Sequence, residues 1–80
     1  VEGWDIVDEG KALIRSFKFK NFAEALAFVN QVGEIAEVED HHPDITFGWG
    51  YVTILFTTHA IKGLHENDFI CAAKVNGLQF

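Results

Sequence analysis

Residues 21–59 read NFAEALAFVNQVGEIAEVEDHHPDITFGWGYVTILFTTH and join a long amphipathic helix to a pair of strands. In the first half of this stretch, apolar residues recur at helical spacing, so one face of the helix is suited to pack on a core. Asn21 can cap the start of the helix through its side-chain oxygen. Pro43 disfavours the α region for the preceding residue, His42, so we expect the helix to end by Asp40.

An antiparallel hairpin follows the helix. The alternation of side chains predicts strands over residues 44–47 and 51–59, joined by a glycine-rich turn with Trp49 at its tip. The second strand carries apolar residues on one side and mainly polar residues on the other. Antiparallel pairing across the turn places residues near 44 opposite residues near 55.

Two further strands and a second helix complete the pattern. Residues 4–7 and 13–20 have strand character and flank a turn at residues 8–10, while a second helix starts at His65. The order ββαββα predicts an α+β fold, in which a four-stranded antiparallel sheet carries helices on one face. We expect the 80 residues to form a single domain, residues 1–80.

Composition excludes several classes of partner. The net charge is −6, and the 6 basic residues do not cluster, so we expect no direct binding to nucleic acid. No apolar run approaches the roughly 20 residues that cross a bilayer, so we expect no membrane partner. Cys71 is the single cysteine and has no internal disulfide partner, which fits the reducing cytoplasm. Its apolar neighbours predict a buried, unreactive thiol.

Three of the 4 histidines, His41, His42 and His59, lie close together in the sequence among acidic residues. Imidazole exchanges protons near neutral pH and also binds metals, so the cluster indicates either acid–base chemistry or a metal site. Successive side chains of an extended segment point apart, so His41 and His42 are poorly placed to chelate one ion, and we predict no metal. An acid–base site and a set of unrelated surface histidines both stay open at this point. We interpret His65 as structural.

Five short motifs follow one another along the chain. They are Gly3-Trp4, Phe17-x-Phe19, Glu37-x-x-Asp40-His41-His42-Pro43, Thr58-His59, and Gly63-Leu64 leading to Asp68. In this order they resemble the pterin-4a-carbinolamine dehydratase family. The resemblance implies a four-stranded antiparallel sheet with helices on one side, assembled as a homodimer or homotetramer. It also implies that no metal and no organic cofactor is used.

The same resemblance implies an enzymatic activity. Members of this family are hydro-lyases that dehydrate 4a-hydroxytetrahydropterin, the product of aromatic amino acid hydroxylases, to quinonoid dihydropterin. By resemblance His41 and His59 move protons and His42 holds the substrate, so these three histidines form the catalytic set. The remaining residues that the resemblance assigns to the pterin pocket are Glu37, Asp40, Pro43 and Asp68.

The sequence also differs from the family pattern. Ile45 stands where an aromatic residue is common, and Trp49-Gly50 replaces the usual Tyr-Asn. His65 occupies the place where Ser or Thr often caps the second helix, and we expect it to cap poorly. We expect the family's N-terminal helix, which precedes the Gly-Trp pair, to be missing from the given residues.

A non-catalytic binding module is the alternative function. Some relatives in this family stabilise dimers of a homeodomain transcription factor, and others assist assembly of a carbon-fixing enzyme. Neither task needs the histidines, so their presence favours the enzyme. A second role alongside catalysis, through binding a protein partner, stays open at this point.

Overall fold

The computed structural model describes residues 1–78. The elements in this range are β1 (Asp5–Val7), β2 (Ala12–Lys18), α1 (Phe22–Glu39), β3 (Asp44–Gly48), β4 (Tyr51–Phe56), a 3-10 helix (His59–Ile61) and α2 (Glu66–Asn76). The predicted order ββαββα is confirmed, while residues 79–80 of the predicted domain lie outside the described residues. No helix within the described range is both long enough and apolar enough to cross a bilayer.

The four strands form one antiparallel sheet in the order β1-β2-β4-β3. The hairpin of β3 and β4 pairs Asp44 with Leu55, as the alternation of side chains predicts. On the face of β4 that meets the helices, Val52, Ile54 and Phe56 are fully buried. Because side chains alternate along a strand, Leu55 and its partner Asp44 lie on the opposite face.

Both helices pack on the sheet through a stripe of buried residues, which confirms the predicted α+β fold. In α1 the stripe recurs at helical spacing and consists of Ala25, Phe28, Val32 and Ala36. In α2 it consists of Asp68, Cys71, Ala72 and Val75. The prediction of a buried thiol is confirmed, because Cys71 has no exposed surface. This burial raises the pKa of the Cys71 thiol, which disfavours the reactive thiolate.

The last residue of α2, Asn76, ties the N-terminal segment to the core. Its Oδ1 atom accepts hydrogen bonds from the indole N–H of Trp4 at 2.8 Å and from the guanidinium of Arg15 at 2.6 Å. Its Nδ2 atom donates to the backbone carbonyl of Glu2 at 2.8 Å. One amide therefore connects the end of α2 to β2 and to the chain that leads into β1.

The prediction that the fourth strand continues to His59 is wrong, because β4 ends at Phe56. The hydroxyl of Thr57 donates to the carbonyl oxygen of Lys11, 2.6 Å away, just before β2 begins. The carbonyl oxygen of Lys11, beside the end of the β2–β4 ladder, is thus bonded to a side chain. A backbone bridge at Thr58 then closes a short loop, in which His59 begins the 3-10 helix.

Phe28 offers a test of the core. Its ring is fully buried, with its centroid 4.7 Å from that of Phe17 and 5.0 Å from that of Phe19. We predict that Phe28→Ala lowers the free energy of unfolding by about 3–5 kcal/mol, because a packed ring is replaced by a cavity. Urea unfolding measures this loss. Phe22→Ala in the same helix is the control, since Phe22 is 45% exposed, and an equal loss in both variants would contradict the prediction.

Candidate active site

The end of α1 places His41. Helix α1 is followed by Asp40 in the left-handed conformation, with φ 50° and ψ 44°, which few non-glycine residues adopt. This turn lets the backbone N–H of His41 donate to the carbonyl of Ala36 at 3.0 Å. The prediction that the helix ends by Asp40 is therefore confirmed. The imidazole of His41 lies parallel to the ring of Phe56, with 5.9 Å between centroids and 9° between planes.

Asp68 is hydrogen-bonded to this imidazole. Its Oδ1 atom is 2.5 Å from Nε2 of His41, and the two side chains are 0% and 13% exposed. Its Oδ2 atom accepts from the hydroxyl of Thr58 at 2.7 Å and from the backbone N–H of His65 at 2.9 Å. An ionised carboxylate only accepts hydrogen bonds, so Nε2 of His41 is the donor to Asp68, and in the neutral imidazole Nδ1 is then the unprotonated nitrogen.

The prediction that His65 caps the second helix poorly is wrong. Its Nδ1 atom accepts from the backbone N–H of Asn67 at 3.2 Å, while Asp68 bonds back to the backbone N–H of His65. This reciprocal arrangement is a capping box in which imidazole takes the place of a serine or threonine hydroxyl. A neutral imidazole can serve because its unprotonated nitrogen is a hydrogen-bond acceptor.

His42 lies in a different environment from its neighbour. Its Nε2 atom is hydrogen-bonded to Oε2 of Glu37. The side chains of His42 and Glu37 are 57% and 77% exposed, so this is a surface pair. His41 and His42 thus bind separate carboxylates, as expected for adjacent side chains that point apart. Glu37 and His42 stay accessible to a bound molecule.

His59 lines a cavity of about 420 Å³ on the sheet face away from the helices. The other lining residues are Asp8, Lys11, Ala12, Asp44, Leu55, Thr57 and Lys62. Since Phe56 points to the helix side, His41 and His59 lie on either side of the chain at the end of β4. The connection between them is Thr58, which bonds to Asp68 while the next residue faces the cavity.

The other two candidate residues lie near His41 without a side-chain bond to it among residues 1–78. Asp40 is exposed, and its contribution in the structure is the backbone turn that ends α1. Pro43 is half-buried and immediately precedes β3. Within the same described range, no three His, Cys, Asp or Glu side chains are grouped as ligands for a metal ion.

Comparison with known proteins supplies the family. The family model described as Pterin 4 alpha carbinolamine dehydratase matches residues 1–78. The chain belongs to this family. A relative from Halorhodospira halophila is 55% identical over 78 residues, which cover 98% of this chain and 72% of the relative. Another from Rubrobacter xylanophilus is 60% identical over 76 residues, covering 95% of this chain and 70% of the relative. Both carry the name "Putative pterin-4-alpha-carbinolamine dehydratase".

Two solved structures of the pterin dehydratase type share the fold. A transcriptional coactivator/pterin dehydratase from Brucella melitensis is 39% identical, with a TM-score of 0.88 over 95% of this chain and 81% of that one. A pterin dehydratase-like protein identified as a RuBisCO assembly factor of the alpha-carboxysome is 26% identical. Its TM-score is 0.79 over 95% of this chain and 88% of that one.

For this pterin carbinolamine dehydratase family member, the sequence did not reveal two contacts of the site. The ring of Phe56, at the end of β4, stacks on His41, and the hydroxyl of Thr58, two residues beyond β4, bonds to Asp68, in a stretch where the sequence favoured an unbroken strand. The sequence did contain one indication that Thr58 belongs to the site, namely its position directly before His59 in the Thr58-His59 motif. The pairing of Asp68 with His41 required knowledge of how α2 packs.

Asp68 provides a stability test of this arrangement. We predict that Asp68→Ala lowers the free energy of unfolding by about 2–4 kcal/mol, because it removes a helix cap and leaves buried donors without an acceptor. Glu37→Ala is the control, since an exposed pair contributes less than about 1 kcal/mol. Chemical unfolding at pH 7 measures both, and a similar loss in the two variants would refute the central role of Asp68.

Proposed function

We propose that the chain is a hydro-lyase that converts 4a-hydroxytetrahydropterin to quinonoid dihydropterin. In this role it would recycle the tetrahydropterin cofactor of aromatic amino acid hydroxylases. Membership of the family supports the reaction class. The observation that carries the proposal is the bond between His41 and the buried Asp68, because it fixes one imidazole nitrogen and frees the other.

The reaction needs both an acid and a base. Protonation of the 4a-hydroxyl lets the C4a–O bond break and water leave, while the lone pair of N5 forms a double bond to C4a. A proton is then lost from a ring nitrogen, so the substrate releases one water and the protein regains its initial protonation state. Imidazoles can perform both transfers near neutral pH, and we assign them to His41 and His59.

The remaining residues hold the substrate in this proposal. The cavity beside His59 has a volume of about 420 Å³, within the range of small-molecule sites. His42 and Glu37 form an exposed pair that a ligand can reach, and we assign them to binding the pterin. Asp40 and Pro43 belong to the same segment and are assigned to the wall of the site.

Kinetics of histidine variants test the assignment. We predict that His41→Ala and His59→Ala each lower kcat by roughly 10²- to 10⁴-fold, the usual contribution of a positioned acid or base. His42→Ala should raise KM more than it lowers kcat, because it removes binding common to substrate and transition state. The measurement is turnover of synthetic 4a-hydroxytetrahydropterin at several substrate concentrations.

The control for these variants is His65→Asn. Asparagine retains a side-chain acceptor for the cap of α2, so the bonds of Asp68 stay in place. We expect this variant to keep its activity. Loss of activity equal to that of His59→Ala, in folded protein, would remove His59 from the proposed chemistry.

A binding role is the second candidate. The exposed apolar side chains of Val38 and Trp49 are 80% and 73% accessible, which favours contact with another protein surface. The two solved structures described as a coactivator and as an assembly factor support the same idea. Pull-down of a partner without turnover of the pterin would favour this function over the enzyme.

We place either activity in the cytoplasm, because the single thiol of Cys71 is unpaired.

Self-association is a further expectation of this proposal. Strand β3 is an edge of the sheet and offers unpaired backbone groups to a second copy, next to the exposed Trp49. We predict a homodimer or homotetramer at micromolar concentration, measured by sedimentation equilibrium. Thr46→Lys, at an exposed position on β3, should weaken assembly, because pairing of the two β3 edges would bring the added lysines of the two copies close together. A monomer across the whole concentration range would contradict the prediction.

A further inference from the structure

We propose that Thr58 is a positioning residue for His41 and acts through Asp68. The inference rests on the proposed function for its kinetic consequence, but its structural consequence can be measured without any substrate. Thr58 does not bond to the imidazole itself. Its hydroxyl donates to Oδ2 of Asp68, whose Oδ1 atom faces Nε2 of His41.

The two oxygens of Asp68 are used unequally. Oδ2 receives two donors, the Thr58 hydroxyl at 2.7 Å and the backbone N–H of His65 at 2.9 Å. Oδ1 is therefore the oxygen that faces the imidazole, at 2.5 Å. Two donors on one oxygen, arriving from different segments, hold the plane of the carboxylate. With the Thr58 hydroxyl removed, the backbone N–H alone holds Oδ2, and the carboxylate gains freedom to rotate.

Thr58 is well fixed for this task. Its backbone N–H donates to the carbonyl of Gly63 at 2.9 Å, and the N–H of Gly63 donates back at 3.4 Å. The carbonyl of Thr58 also accepts from Ile61 at 3.2 Å, within the turn of the 3-10 helix. A β-branched side chain has few rotamers, so an anchored backbone directs the hydroxyl. The end of β4 is thereby connected to the orientation of Asp68.

The consequence for His41 concerns which nitrogen carries the proton. A carboxylate held toward Nε2 selects the tautomer with the proton on that nitrogen and leaves Nδ1 as the acceptor. A rotating carboxylate selects less strongly, so both tautomers become populated. Only one tautomer presents the correct nitrogen to the substrate, and kcat falls with its population.

The experiment compares Thr58→Val with Thr53→Val. Valine keeps the β-branched shape and removes only the hydroxyl. Thr53 lies on β4 away from Asp68, and its hydroxyl makes a bond of 2.8 Å with the hydroxyl of Ser16, so its loss is a matched control. The ¹⁵N shifts of the His41 imidazole report the tautomer directly. We expect one tautomer in the unaltered chain and in Thr53→Val, and a mixture in Thr58→Val.

Kinetics supply the second readout. Thr58→Val should lower kcat by the same factor by which it lowers the population of the tautomer protonated on Nε2, with little change in KM, and Thr58→Ser should restore both. If Thr58→Val does not fold, Thr58→Cys retains a weak donor and should give an intermediate tautomer mixture. Unchanged ¹⁵N shifts in folded Thr58→Val, or in Thr58→Cys where the valine variant does not fold, would overturn the inference. If the unaltered chain does not turn over the pterin while the ¹⁵N shifts change in Thr58→Val, the proposed dehydratase function is overturned and the positioning role is supported.

Discussion

The hydrogen bonds to the carboxylate of Asp68 join three segments of the chain. They bring together His41 beyond the C-cap of α1, Thr58 beyond the end of β4, and the start of α2. A carboxylate with 0% exposure is strongly unfavourable unless donors replace the water that it loses. These three segments must therefore meet for the core to close. The geometry around His41 is therefore a condition of folding.

The location of this carboxylate explains why the candidate site lies at one end of the sheet. Strand β4 is central and fully buried on its helix side, so the chain can leave the sheet only where the ladder stops. That exit places Thr58 against Asp68 and the following His59 against the cavity on the opposite face. Stacking on Phe56 then confines His41 to the helix side. The imidazoles of His41 and His59 thus lie on opposite sides of the chain where β4 ends.

Much of the fold could be predicted because periodicity reports which side of each element is buried. The stripe of α1, the alternation of β4 and the hairpin pairing of Asp44 with Leu55 all follow from that signal. The end of β4 could not be predicted, because it depends on a bond from Thr57 to a residue 46 positions away. The helix cap at His65 could not be predicted, because a capping propensity is an average over all histidines and does not describe the bond that this one makes to Asn67.

The candidate site could be predicted in part. Motif spacing identified its residues through the family resemblance, and family membership is confirmed. The sequence could not show which carboxylate each histidine would bind, because five acidic residues are candidates. They are Glu37, Glu39, Asp40 and Asp44, which flank the His41-His42 pair, and Asp68 of the last motif. Packing of α2 decides that Asp68 belongs to His41 and leaves Glu37 to His42.

The first turn of α2 has a consequence for how the molecule loses its function. Residues 59–62 and 65–67 are exposed, whereas Asp68 behind them is fully buried. Segments with little burial open more readily than the core in proteins generally, often as small cooperative units. Opening of this segment would withdraw the backbone N–H of His65 from Asp68 while the sheet stays folded. Catalytic competence and global stability would then be separate properties, governed by different parts of one small domain.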